Sequence, residues 1–230
     1  MTDGTWLIVP LRSFAEGKRR LGLCLDAAAR TALNKHFLRH LLQQATAWPG
    51  LHRTVVVSPC PEVLAHVVAA GARPLREPTG VGLDEETSET LNAALQFARD
   101  EVRRWGAIDL LVLLSDLPLL KGADLRDLAA SGRDAQGRRQ VVVACDRSGR
   151  GTNALFLPAD CAVPFCFGRD SALRHVLATR AQELAVTQVH ISGLALDIDT
   201  PDDLAFWRQL SPPASSEAPT LEPTGPRRGR

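Results

Sequence analysis

Leu110-Leu-Val-Leu-Leu-Ser-Asp-Leu-Pro-Leu-Leu120 opens with five consecutive apolar residues and no polar alternation. Such a run fits a strand buried on both faces, as in a parallel sheet covered by helices. It ends at Ser115-Asp116, and Pro118 lacks the N–H that a central strand would need to continue. Asp116 is therefore expected at the carboxyl end of a central strand, where open α/β sheets bind ligands. The competing reading is that Asp116 only shapes a turn with Pro118.

Upstream, Trp6-Leu-Ile-Val-Pro10 reads as a first short strand, followed by the cation-dense segment Leu11-Arg-Ser-Phe-Ala-Glu-Gly-Lys-Arg-Arg-Leu21. With Arg12, Lys18, Arg19 and Arg20, a loop of this kind can place guanidinium and ammonium groups around a triphosphate. It can equally be a solvated basic loop, and it lacks the GxxxxGK[ST] spacing of a P-loop. Leu33, Phe37, Leu41 and Leu42 recur at helical spacing after Asp26, a suitable N-cap, and Pro49-Gly50 is a stop signal. His36 and His40 lie one turn apart on that helix, but no HExxH-type carboxylate accompanies them. Thr54–Ser58 reads as a strand, Pro61–Ala70 as a helix and Ala72–Leu75 as a third strand. The order β-α-β-α-β implies a doubly wound parallel sheet with right-handed crossovers. The polar loop Gly80–Thr90, with two glycines and four acids, feeds a helix from about Thr87 to Trp105.

Downstream, a short helix is expected over Asp124–Ser131 and a strand over Gln140–Cys145. The turn Asp146-Arg-Ser-Gly-Arg-Gly-Thr-Asn153 then leads into another apolar strand. Gly168 and Ser171 stand just before and at the start of a helix running to about Arg180, offering N–H groups and a hydroxyl to an anion. A simple N-cap by Asp170 or Ser171 is the alternative. In Leu194-Ala-Leu-Asp-Ile-Asp-Thr-Pro-Asp-Asp-Leu204, strand periodicity puts Asp197 and Asp199 on one face. Paired carboxylates repel unless a cation lies between them. Thr200 can cap the next helix, with Pro201 at its first position. An N-cap cluster would explain Thr200, Asp202 and Asp203, but Asp197 lies too far upstream for that role.

The chain has 230 residues, is 45% hydrophobic and 23% charged, and carries a formal net charge of +1. This balance suits an α/β domain and gives no argument for nucleic-acid binding. Residues 1–210 are expected to form the folded domain and 211–230 a disordered Pro/Ser-rich tail with a basic tip. The five cysteines show no CxxC pair and read as reduced thiols. No signal peptide or membrane span is evident, so a cytoplasmic protein is expected.

A basic loop, an aspartate ending a central strand, a DxD pair and a small anion site are together the equipment of a metal-dependent nucleotidyltransferase. Mg²⁺ prefers carboxylates plus substrate phosphates to an all-protein cage. A phosphate-monoester nucleophile, with a second pKa near ~6, is already anionic and needs no general base.

The chain resembles the 2-phospho-L-lactate guanylyltransferase family of deazaflavin coenzyme F-420 biosynthesis over about Trp6 to Leu210. The resemblance is carried by Val9-Pro10 with Lys18 and Arg20-Leu21, Asp116-Leu-Pro-Leu119, Gly151-Thr-Asn-Ala-Leu155, Phe167-Gly168 with Ser171 and His175, and Leu196–Leu204. It implies a Rossmann-like GT-A type fold with a mostly parallel central sheet and helices on both faces. It also implies GTP as donor, and 2-phospho-L-lactate, phosphoenolpyruvate or 3-phospho-D-glycerate as acceptor. By this resemblance Lys18, Arg20 and Asp116 would be catalytic, and Asp116, Asp197 and Asp199 would hold Mg²⁺. Thr152, Gly168 and Ser171 would bind the acceptor phosphate, while Arg12, Lys18 and Asn92 would bind the nucleotide. A downstream transferase that consumes the product is an implied partner. Two departures stand out: Arg12 replaces the family's more usual Lys, and the acidic Leu83–Thr90 loop replaces a compact glycine-rich turn. A CTP-dependent nucleotidyltransferase acting on a sugar phosphate or molybdopterin, and an inactive nucleotide-binding homologue, are the alternatives.

Overall fold

The computed structural model describes residues 4–78 and 87–210. The elements run β1 (Thr5–Pro10), α1 (Ala27–Ala45), β2 (Thr54–Ser58), α2 (Pro61–Ala69), β3 (Arg73–Arg76), α3 (Ser88–Arg104) and β4 (Asp109–Leu113). They continue with α4 (Gly122–Ala130), β5 (Val141–Cys145), β6 (Thr152–Pro158), α5 (Ser171–Arg180), β7 (Val186–Val189), α6 (Ser192–Ala195) and α7 (Pro201–Leu210). The strands form one sheet in the order β3-β2-β1-β4-β6-β5-β7. The acidic segment 79–86 and the tail 211–230 lie outside the described residues.

The central strand behaves as its unbroken apolar run requires. Leu111 and Leu113 enter the core on one face of the sheet, Leu110 and Val112 the core on the other. The first face meets α1, α2 and α4 through residues such as Leu41, Val63 and Leu125, and the second meets α3 and α5 through Leu95, Val102 and Val176. Asp26 caps α1 by accepting the Ala29 N–H at 2.7 Å. Thr87 and Thr90 close a reciprocal capping box at the start of α3.

The sheet is mostly parallel, as the resemblance implied, and the departure is β6, which runs antiparallel to both β4 and β5. The connection from β5 to β6 is too short for a crossover, which leaves only a hairpin-like return. This reversal brings the first residue of β6, Thr152, to the edge where the parallel strands end. A register shift between Ala144 and Cys145 lies opposite Thr152, where a bulge can re-aim neighbouring side chains.

One expectation needs correction: the DxD segment is not a strand. It follows the short α6 as extended chain without a ladder partner, and the Ile198 N–H donates to the Asp116 carbonyl at 3.3 Å. The alternation nevertheless survives. Leu196 and Ile198 are buried against Leu33, Phe37 and Leu204, and the two aspartates face the other way. The edge strand β7, with only half-buried valines, carries too weak an apolar pattern to be read from sequence.

Candidate active site

The carboxyl ends of β1 and β4 and the start of β6 open onto a cleft of about 1060 Å³. Arg12, Lys18, Arg20, Asp116, Thr152, Gly168, Ser171, Asp197 and Asp199 all line it. Lys18 and Asp199, 181 positions apart in the chain, therefore meet in one place.

The basic loop is fastened before it reaches the cleft. Phe14 is fully buried, the Asn34 amide of α1 donates to the Phe14 carbonyl at 2.8 Å, and Ser58 Oγ donates to the Arg12 carbonyl at 3.2 Å. Lys18 then adopts a left-handed backbone conformation with φ of 64°. For a lysine this is uncommon and is tolerated where surrounding contacts dictate it. Its ammonium pairs with Asp116 Oδ2 and with Asp199 Oδ1, the latter at 3.1 Å. Burial works against the lysine charge, but the two carboxylates outweigh it and hold the Lys18 pKa above its ordinary value.

Asp116 Oδ1 is buried without a hydrogen-bond partner among the described residues, an arrangement that native structures seldom leave unexplained. Asp197 receives one contact of 3.3 Å from the Asn153 amide, which also donates to the Leu194 carbonyl at 2.9 Å. Burial, reinforced by the neighbouring charges of Asp116 and Asp199, pushes the Asp197 carboxyl up to about 6. Thr200 and Asp203 form the reciprocal cap of α7, with Thr200 N–H to Asp203 Oδ2 at 2.9 Å. That cap accounts for the downstream acids and leaves Asp197 and Asp199 to the cleft.

The cleft thus offers hard oxygen ligands, an orphaned carboxylate oxygen and a carboxyl whose charge is opposed by like charge. These features suit a hard divalent cation completed by substrate oxygens. Among the described residues, no group of three or more His, Cys, Asp or Glu side chains is placed to hold a metal ion by itself, so substrate oxygens would have to complete the coordination.

At the other end of the cleft, Gly168 has φ of +115°, and a Cβ there would stand 2.6 Å from Ser88 Cβ. Only glycine meets both demands. Asp170 starts α5 in a left-handed conformation and makes no side-chain cap, contrary to the simple N-cap reading. Its carboxylate is instead held by Arg150, at 3.1 Å from Nε and 2.9 Å from Nη2. Thr152 Oγ1 lies 3.1 Å from His175 Nδ1, and the Cys166 N–H donates to His175 Nε2 at 2.9 Å.

Asn92 is the one expected site residue that does not line the cleft. Its amide donates to the Phe167 carbonyl at 3.1 Å and accepts the Phe167 N–H at 2.9 Å. It clamps the backbone next to Gly168, using one of its two amide N–H groups and one lone pair of its oxygen. His40 also has a structural contact, with Nε2 2.9 Å from the Leu120 carbonyl behind the Asp116 loop.

Sequence reading missed Asn34, Asn153, Arg150 and Glu77. Glu77 follows β3 and lines the cleft, its carboxyl pushed up by burial against the pull of Arg12. The signal for Asn153 was present, since it stands beside Thr152 at a strand start. Nothing local marks Asn34 or Glu77. The five cysteines are free thiols, and no helix among the described residues is long and apolar enough to cross a membrane.

A family model described as guanylyl transferase, CofC-like, matches residues 5–206. A phosphoenolpyruvate guanylyltransferase of Sphaerobacter thermophilus is 36% identical over 200 residues, covering 87% of this chain and 90% of the relative. Another, from Rubrobacter xylanophilus, is 37% identical over 201 residues, covering 86% and 90%. Among solved structures, a 4-diphosphocytidyl-2C-methyl-D-erythritol synthase superposes with a TM-score of 0.58 at 13% identity, covering 90% of this chain and 97% of that one. At that identity the likeness concerns the fold alone.

Proposed function

The chain belongs to the CofC-like guanylyl transferase family and is a nucleotidyltransferase; from that premise we propose that it joins GMP from GTP to the phosphate of phosphoenolpyruvate, releasing pyrophosphate. The observation that carries this reading is the meeting, in one cleft, of Lys18 and three aspartates with Thr152, Gly168 and Ser171. One end is suited to a metal–triphosphate, the other to a small phosphorylated acid. That several relatives at 31–37% identity are named phosphoenolpyruvate guanylyltransferases supports this acceptor over 2-phospho-L-lactate and 3-phospho-D-glycerate.

In the proposed reaction a non-bridging oxygen of the acceptor phosphate attacks the α-phosphorus of GTP, and the bond from that phosphorus to the β-phosphate bridging oxygen breaks. The electron pair leaves with pyrophosphate. The acceptor is anionic at neutral pH, so no side chain must take a proton. Thr152, the backbone at Gly168 and Ser171 orient the acceptor phosphate, and orientation supplies much of the rate in phosphoryl-type transfer. Lys18, Arg12 and Arg20 neutralise triphosphate and departing pyrophosphate, and the flexible lysine stem can re-aim its ammonium from carboxylate to phosphate. Asp116, Asp197 and Asp199 would hold Mg²⁺, which when bound neutralises the negative charge gathered at the reacting phosphates. Asn92 acts by fixing the Phe167–Gly168 backbone rather than by touching nucleotide.

We place this reaction in cytoplasmic coenzyme F-420 biosynthesis, with a downstream transferase taking the product. The test is pyrophosphate release with GTP, Mg²⁺ and each of the three phosphorylated acids in parallel, with CTP and ATP as donor controls. Release with GTP and phosphoenolpyruvate is expected. Preference for CTP would overturn the donor assignment, and preference for another acid the acceptor assignment.

A further inference from the structure

We propose that His175 is a positioning residue that sets the polarity of the acceptor-phosphate site, holding the Thr152 hydroxyl so that its proton points into the cleft. This inference rests on the reading of Thr152, Gly168 and Ser171 as the acceptor-phosphate site. His175 is fully buried under that site, packed edge-on against the Phe167 ring at 4.9 Å between centroids.

The hydrogen bonds leave one tautomer. The Cys166 backbone N–H can only donate, and it lies 2.9 Å from His175 Nε2, so Nε2 must accept and carries no proton. A neutral imidazole then has its proton on Nδ1. Burial keeps the ring neutral, pulling its pKa down to about 4. Nδ1–H lies 3.1 Å from Thr152 Oγ1, with the Ser171 carbonyl one helical turn back also available to it. Thr152 Oγ1 therefore accepts from the ring, and its own proton is left to donate elsewhere. The opposite tautomer would take that proton and turn a lone pair toward the cleft.

For a phosphate the difference is one of sign. Phosphate oxygens of a dianion accept hydrogen bonds and do not donate them, so a hydroxyl facing them must donate. The same imidazole also ties down the Cys166 N–H, two residues before Gly168, and stands one turn after Ser171 on α5. One buried ring thus braces all three parts of the site: the β6 hydroxyl, the turn before α5 and the first residue of α5.

Two substitutions separate the ring's two bonds. In His175→Asn the side-chain NH₂ can replace Nδ1–H toward Thr152, while the acceptor toward Cys166 is lost. In His175→Gln the side-chain carbonyl can replace Nε2 toward Cys166, while the donor to Thr152 is lost. With phosphoenolpyruvate and GTP as substrates, Thr152→Ala and His175→Gln should each raise the acceptor KM about tenfold, with the GTP KM within about twofold of wild type. His175→Asn should lie nearer wild type. The double variant Thr152→Ala/His175→Gln should also be about tenfold weaker rather than about a hundredfold, because both changes remove one bond.

Equal effects of Asn and Gln, multiplying effects in the double variant, or a parallel rise in the GTP KM would overturn the proposal. If Thr152→Ala leaves the acceptor KM unchanged, the acceptor-site reading itself fails. If Thr152→Ala raises it and His175→Gln does not, only the role of His175 fails. A measurement on the unaltered protein avoids dependence on variant folding. Long-range proton–nitrogen correlation of the His175 ring at neutral pH should show Nδ1 protonated and Nε2 bare, and the reverse pattern would refute the assignment.

Discussion

The ammonium of Lys18 sits between Asp116 and Asp199, whereas Asp197 has the Asn153 amide as its side-chain neighbour. The consequences for stability have opposite signs. The Asp197 carboxyl titrates at about 6 in the fold, against an ordinary value of 3.8. Between these values the folded chain holds a proton that the unfolded chain has lost. Stability of the metal-free protein therefore falls as pH rises through that window, and the full cost persists above it. Asp197→Asn removes that cost, which is about 2 kcal/mol at most after solvent screening. The expected result is a Tm rise of a few degrees at pH 8 without Mg²⁺, no rise at pH 4, and loss of turnover; differential scanning calorimetry at the two pH values checks it. Lys18 has a raised pKa, so its contribution is fully present at neutral pH and lost only in strong alkali. Lys18→Met should lower the metal-free Tm, because it strips the cation from a half-buried Asp116 whose buried Oδ1 already lacks a hydrogen-bond partner among the described residues. Turnover should fall at least about a hundredfold, and a Lys18→Met enzyme with near-normal kcat/KM would exclude a role for the ammonium at the phosphates.

At the scale of elements, the turn before α5 is held from α3. Asn92 brackets Phe167 with two hydrogen bonds, and Arg99 donates to the Val163 carbonyl at 2.8 Å while its guanidinium lies 4.5 Å from the Phe165 ring centroid. Asn92→Ala should therefore raise the KM for phosphoenolpyruvate about tenfold and spare that for GTP, a steady-state comparison whose reverse outcome would return Asn92 to the nucleotide. These contacts also show what sequence could disclose. The apolar run from Leu110, ended by Ser115 and Pro118, marks a strand buried on both faces, and the cap at Asp26 and the box at Thr87 are local chemistry with local signals. Asp116, Asp197 and Asp199 could be grouped because carboxylates with no local cap to serve need a cation. The reversal of β6 was open to reading, since the turn between Cys145 and Thr152 is too short for a crossover, whereas the half-buried β7 carries too weak an apolar pattern. The contacts of Asn92 with Phe167 were hidden for a related reason, since they reach a backbone turn 75 residues away.

For the whole molecule, the cleft is a seam between two parts of one sheet. The β1 side supplies Arg12, Lys18 and Arg20. The β6-β5-β7 side supplies Thr152 and, through the chain that follows β7, Asp197 and Asp199. The β4–β6 ladder joins the two parts, and at the mouth of the cleft Lys18 to Asp199 and the Ile198 N–H to the Asp116 carbonyl also bridge them. A ligand that engages the carboxylates and the basic loop together must therefore tie the flanks to each other, and a ligand that binds the native state raises its stability by mass action. Hydrogen exchange with GTP, Mg²⁺ and phosphoenolpyruvate should protect amides in both residues 11–20 and residues 146–153. The outer edge around α2 and β3 should change little, because Arg73–Arg76 packs away from the cleft. Protection confined to residues 11–20 would mean that nucleotide binds without closing the seam, and that the carboxylates across the cleft are not part of the same site.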